Sequence, residues 1–308
     1  MVTDKAGKLA TDIEPMEFKL LDNNEPRKIL SYRRTDGTAG SKFDPPEEVI
    51  VLLDAVNQSY QAVTLLRLEI ERFLRQNGGH TAAPVSIFMY TSSGLRVQPQ
   101  PSRDGNAMAA VLDQSNGTVR SRGSAAGVFG EEEQFQSSVQ TLMGIADNEA
   151  KKPGRKMLIW IGSGWPMLES AQYVQSNESR ASDFNAIVKL SQKLREARVT
   201  VYSIYTLNSA AGKFLYQAYL KGVTEPRKAD SGNLALQVLV TQTGGRVLES
   251  SNDIAGQINS CIADIGAYYT VTFAPPAATR ANEYHDLKVE VTRPGLIART
   301  STGYYDQP

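Results

Sequence analysis

The sequence holds one cysteine and two histidines in 308 residues, and no excess of charge of either sign. Each shortage excludes something. A single thiol, Cys261, makes no internal disulfide, so oxidation does not staple this fold. Within Ile258-Asn259-Ser260-Cys261-Ile262 it reads instead as a small buried apolar side chain on a helix. Cys261, His80 and His285 are too few to build a zinc site. Lysine plus arginine and aspartate plus glutamate number 33 each. With no dense basic run to neutralise phosphates, no nucleic-acid partner is expected. No run of about 18 apolar residues occurs, so no membrane-spanning helix is expected. The opening Met1-Val2-Thr3-Asp4 has neither the basic nor the apolar region of a signal peptide, which leaves a cytosolic protein or one whose signal is missing from this sequence. Phosphate-cradling motifs are missing too: there is no Gly-x-x-x-x-Gly-Lys-Ser/Thr, and no Gly-x-Gly-x-x-Gly follows a strand.

What is present is a regular alternation. Hydrophobic residues make up 41% of the chain, enough for one large or two medium cores. Val49–Leu53, Met157–Ile161 and Val199–Tyr205 are short apolar runs of the kind that a parallel sheet buries on both faces. Between them lie helical patterns. Val63, Leu66, Ile70 and Phe73 recur at three- and four-residue spacing, and the Asn77-Gly78-Gly79 stop follows. Phe184, Ile187, Val188, Ser191 and Leu194 form a second such stripe. Further helices are expected over 104–113, from 131 to 148 with Glu131–Glu133 at its N-terminus, near 209–221 and 233–243, and over 252–266. Val85–Tyr90 reads as another strand and Leu95–Val97 as an edge strand. This order predicts an α/β fold with a doubly wound, mostly parallel, Rossmann-like sheet over residues 46–266.

The two ends of the chain read differently. Phe18–Leu21 and Lys28–Tyr32 are alternating runs separated by the turn-forming 22–26, with a Gly/Pro-rich linker over 35–48. From 267 onward three alternating runs make a meander whose last strand is expected near 297–304. Neither end is large enough to stand alone. Residues 1–34 and 267–308 are therefore expected to pair in one sheet, as a small β-rich domain of β-sandwich type.

Several strings occur in an order that resembles a known family. They are Val2–Gly7 with Phe18–Asn23, then Val51-Leu52-Leu53-Asp54-Ala55-Val56-Asn57, then Gly154–Pro166, and finally Tyr268–Pro276 with Lys288–Val291 and Gly303-Tyr304-Tyr305. Together they resemble the von Willebrand factor type A fold, and more narrowly the VWFA-related family known chiefly from Acidobacteria. The resemblance spans nearly the whole chain. It implies a bacterial protein exported to the periplasm or beyond, and a module that binds a protein partner at the C-terminal edge of its sheet. In many type A domains a divalent cation sits there, held by Asp-x-Ser-x-Ser, a threonine and a second aspartate; a hard cation such as Mg²⁺ or Ca²⁺ takes oxygen ligands.

This metal-ion-dependent adhesion motif is degenerate here. Asp54 matches the first aspartate, but Val56 and Gln58 stand at the serine positions and Ser163 at the second aspartate. Asn57 and Ser59 reach the site only if the loop is displaced by a residue, and Thr118 or Thr91 is left for the threonine. The resemblance therefore leaves a metal set of Asp54, Ser59 and Thr118, beside a metal-free rim in which Asp54 caps the next helix. The partner-binding rim expected is Asp54, Asn57, Ser59, Thr91, Ser92, Ser163 and Trp165, on loops 54–59, 91–94, 115–128 and 162–168. Trp160 is assigned to the core; Trp165, just past the strand, is expected either as packing or as an exposed aromatic anchor. No cofactor is required and no enzyme is expected. Gly162-Ser163-Gly164 lacks the flanking glycines of a nucleophile elbow, and neither histidine has a catalytic context.

Overall fold

A computed structural model describes residues 1–35, 47–114, 127–165, 176–204, 216–249 and 251–308. Its centre is a mostly parallel sheet. Strand β5 (Glu48–Asp54) is buried at all seven positions, as are the six of β9 (Lys156–Ile161). Apart from Glu48, Asp54 and Lys156 at their ends, both are runs of β-branched and other apolar residues that leave no polar face to turn to water, so the sheet must be covered on both sides. β5 lies between β9 and β6 (His80–Thr91), parallel to each. Beyond β9 come β10 (Val199–Ile204) and the short β11 (Val247–Leu248), also parallel. β6 carries two antiparallel neighbours, β7 (Gly94–Val97) and β8 (Ser102–Asp104). The order β11-β10-β9-β5-β6-β7 is that of a doubly wound fold with an antiparallel edge.

The period-two alternation of β5 sorts its side chains between two cores. Ile50 and Leu52 join Leu158 and Trp160 against Phe135, Val139 and Leu142 of α3 (Gly127–Glu149), with α4 (Asn177–Glu196) and α5 (Leu236–Gln242) completing that face. Val49, Val51 and Leu53 face α1 (Tyr60–Arg75), α2 (Gly105–Gln114) and α6 (Ile254–Ile262). Each fully buried aliphatic side chain here contributes about 1.5–3 kcal/mol by leaving water. The structure thus has the expected fold class. α3 begins at Gly127, four residues ahead of the expected Glu131, so the acidic run is not its first turn. Part of the helix expected near 209–221 lies outside the described residues; the rest is a 3₁₀ turn at Tyr216–Tyr219.

The two ends of the chain do pair, in three small sheets and not in one. β1 (Val2–Asp4) pairs with β14 (Leu296–Ala298), and β4 (Ile29–Thr35) with β12 (Tyr268–Phe273). A four-stranded sheet runs β15-β13-β2-β3, from Gly303–Asp306, Glu283–Val291, Phe18–Asp22 and Glu25–Arg27. The tight turn through Asn23 and Asn24, both at positive φ, lets 25–27 pair back on β2, which leaves β4 to β12. One reading is corrected here. The expected last strand is two strands, 296–298 and 303–306, on different partners. Val2, Ile13 and Phe18 centre a small apolar cluster between these sheets. Among the described residues no helix is long and apolar enough to cross a membrane.

Candidate functional site

β5 leads on to β6 on one side and β9 to β10 on the other, so the strand order reverses between them; the crevice beyond the C-terminal ends of two such strands is where these sheets present their sites. Asp54, the last residue of β5, sits at its floor and is fully buried. Its Oδ1 accepts from the backbone N–H of Val56 and Asn57, each at 3.0 Å. Its Oδ2 accepts from Asn57 Nδ2 at 2.8 Å and from the indole Nε1 of Trp160 at 3.1 Å. The loop is knitted further: Asn57 Nδ2 reaches Ser138 Oγ on α3 at 3.2 Å, and Ser163 Oγ donates to the Asn57 carbonyl at 2.7 Å. Gln237 on α5 donates to the Ser163 carbonyl at 3.3 Å. Gly162 is required at this point. A Cβ there would stand 2.8 Å from Asp54 Cβ and 2.6 Å from Gln58 Nε2, so only glycine lets the β9 exit approach the β5 exit.

Burial pushes the Asp54 carboxyl up from 3.8 to about 6, while its hydrogen bonds from Asn57, Val56 and Trp160 pull the other way. A carboxylate offers about four lone-pair directions, and all four here face N–H donors. A divalent cation at Asp54 would have to displace a backbone amide, the Asn57 side-chain amide or the Trp160 indole. The described residues around Asp54 do not fit a metal. Among the described residues no cluster of three or more His, Cys, Asp or Glu side chains could hold one.

The other expected site residues are placed as follows. Ser59 is the N-cap of α1, its hydroxyl accepting from Ala62 N at 3.2 Å; the cap assigned to Asp54 belongs to Ser59, five residues nearer the helix. Thr91 is buried, with its hydroxyl donating to the Gly94 carbonyl at 2.8 Å, so it closes the β6–β7 hairpin and gives no oxygen to the crevice. Ser92 is exposed on that hairpin. Thr118 and the rim stretches 115–126 and 166–168 lie outside the described residues. Trp165 is 2% exposed, so the exposed-anchor reading is corrected. Its indole donates to the Leu234 carbonyl at 3.0 Å and packs edge-on against Trp160 and Phe135, because the chain turns inward after Gly164 at positive φ. Asp54, Asn57 and Ser163 therefore come together, and Thr91 and Trp165 do not join them.

Comparison with protein-family models finds no match, and comparison with curated proteins finds none. Solved structures do resemble the chain, distantly. The human COPII-coat protein Sec24c is 15% identical over 76% of this chain and 34% of its own, with a TM-score of 0.39. The open conformation of the pilus adhesin SpaC from Lactobacillus rhamnosus GG is 11% identical over 85% of this chain and 36% of its own, at 0.43. The SpRpn10 VWA domain is 10% identical over 70% of this chain and 95% of its own, at 0.31. The chain spans about a third of the length of the first two. All three scores are low, and the fold class rests on the chain's own strand order.

Three members of the site were not expected from the sequence. Ser138 and Gln237 are unremarkable positions on helices, and only the packing of α3 and α5 brings them to the crevice. Trp160 had a partial signal: an indole N–H inside an apolar strand needs an acceptor, and Asp54 is the nearest acid on the neighbouring strand, with Leu52 opposite Trp160 in register. Ser163 has no histidine hydrogen-bonded to it among the described residues. His80 opens β6 at the far end of that strand, and His285 is buried beside Asp22 at 2.9 Å.

Proposed function

We propose that this protein is a non-enzymatic, exported protein-interaction module of von Willebrand type A character, whose binding rim works without a metal. One observation carries the metal-free part: both Asp54 oxygens are already held by four N–H donors, the Trp160 indole among them. The indole N–H stands where an adhesion cation would bring positive charge, and it holds the β5 and β9 exits in one fixed arrangement. Export and the partner-binding role rest on the resemblance of the sequence strings. The surface offered is the exposed part of the rim, Ser92 and its hairpin together with the half-buried Asn57 and Ser163.

Thermal unfolding with Mg²⁺, Ca²⁺ or Mn²⁺ added tests the metal-free rim. The expected result is an unchanged midpoint with each ion. A saturable rise that disappears in Asp54→Ala would instead establish the cation-dependent adhesion reading at Asp54. Partner capture with the full chain and with Ser92→Arg tests the rim itself; a partner retained equally by both would move the interface elsewhere.

A further inference from the structure

A cleft of about 580 Å³ opens between the α/β unit and the β-rich region, and nothing in the rim reading uses it. It lies at the opposite end of the sheet from Asp54. Arg155 directly precedes β9 and Arg198 directly precedes β10, and the parallel register of these strands (Val199 beside Lys156) brings the two arginines side by side. Arg195, in the last turn of α4, lines the same wall.

Two features of the lining matter. The first is charge. Five arginines border the cleft, namely Arg33, Arg155, Arg195, Arg198 and Arg299, and no aspartate or glutamate does. Arg299 is neutralised by Asp264. Among the described residues neither Arg155 nor Arg198 has a carboxylate within ion-pair distance; Arg155 lies over the Tyr268 ring at 4.8 Å. The second is the opposite wall. Val271, Phe273, Leu287 and Val289 line the cleft and stay only half-buried, Val289 packing also against the small apolar cluster. Apolar side chains left partly wet beside unpaired guanidinium groups, in a concavity of small-molecule size, are the makings of a ligand site.

We infer that this cleft binds a single-chain anionic amphiphile, its carboxylate or phosphate head on Arg155 and Arg198 and its apolar chain along Val271, Phe273, Leu287 and Val289. Arginine forks suit such heads because two parallel N–H donors meet two oxygens. Along β12, Tyr268 lies at the Arg155 end, and five steps to Phe273 at about 3.3 Å each make a track of roughly 16 Å, comparable to an extended dodecanoate chain.

Calorimetric titration of the full chain with dodecanoate, below its micelle concentration, tests this. Saturable one-to-one binding is expected, weakened about tenfold, or about 1.4 kcal/mol, in the Arg155→Gln/Arg198→Gln double variant. Dodecanol is expected to bind at least as weakly as dodecanoate binds that variant, and acetate not at all. Val271→Asp should abolish dodecanoate binding while thermal unfolding shows a folded protein. Absence of binding would overturn the inference. So would equal affinity for dodecanoate and dodecanol, or equal affinity in the double variant. Phosphatidylglycerol vesicles separate a membrane source from a free ligand: sedimentation with vesicles without binding of monomeric dodecanoate would also overturn the cleft as the site. Because the rim and the cleft lie at opposite ends of the sheet, Ser92→Arg should leave dodecanoate binding unchanged.

Discussion

A buried carboxylate normally needs a cation, yet Asp54 is surrounded by N–H dipoles and an indole edge. Its folded carboxyl titrates at about 6 against 3.8 in the unfolded chain. The folded state therefore favours the protonated form. The stability this contributes is complete below pH 3.8 and is lost as pH rises through about 6. At neutral pH the ionised group costs up to about 3 kcal/mol relative to the acid limit. Urea unfolding across that window should show wild type losing stability relative to Asp54→Asn as pH rises; parallel curves would refute the assignment. Trp160→Phe keeps the ring and removes one donor from Oδ2, and should destabilise by about 1–3 kcal/mol at neutral pH, measured the same way. Asp54 itself was readable in the sequence as the end of an apolar strand. Its distant partner was not, since packing brings Trp160 to it across 106 positions of chain, as it brings Ser138 to the neighbouring Asn57 across 81.

Among the elements, the core strands and their helices were legible because burial on both faces leaves a plain mark: every position of β5 and β9 is buried. Helix starts were less so. α1 begins after Ser59, and Ser59→Ala should lower stability by about 1 kcal/mol through the unsatisfied Ala62 amide, seen as a shift in the urea midpoint at unchanged slope. An unchanged midpoint would mean that solvent caps the helix equally well. Short strands gave the weakest signal. β14 and β15, of three and four residues, read as one run because alternation over so few residues does not show where one partner is exchanged for another.

For the molecule as a whole, the ends of the chain depend on each other. β1 and β2 find their partners in β14 and β13, nearly the whole sequence away, and Arg293 joins Glu17 at 2.8 Å and Asp12 at 2.9 Å across the same divide. Removing residues 296–308 takes away β14 and β15 and exposes the edges of β1 and β13. Limited proteolysis should then cut within residues 1–35 much faster than in the full chain, while the α/β unit, which loses only Tyr305 from its two cores, resists; equal cutting would show that the β-rich region holds without its C-terminal strands. The alternation of apolar runs and amphipathic helices was enough to determine an α/β sheet covered on both faces, because local periodicity reports directly which faces are buried. Only the tertiary structure decided that Asp54 is satisfied by N–H donors, that Trp165 turns inward, and that unpaired arginines meet a half-wet apolar wall. Those outcomes depend on which distant segments pack together, and hydrogen-bond partners and local charge balance are set by that packing, not by neighbours in the chain.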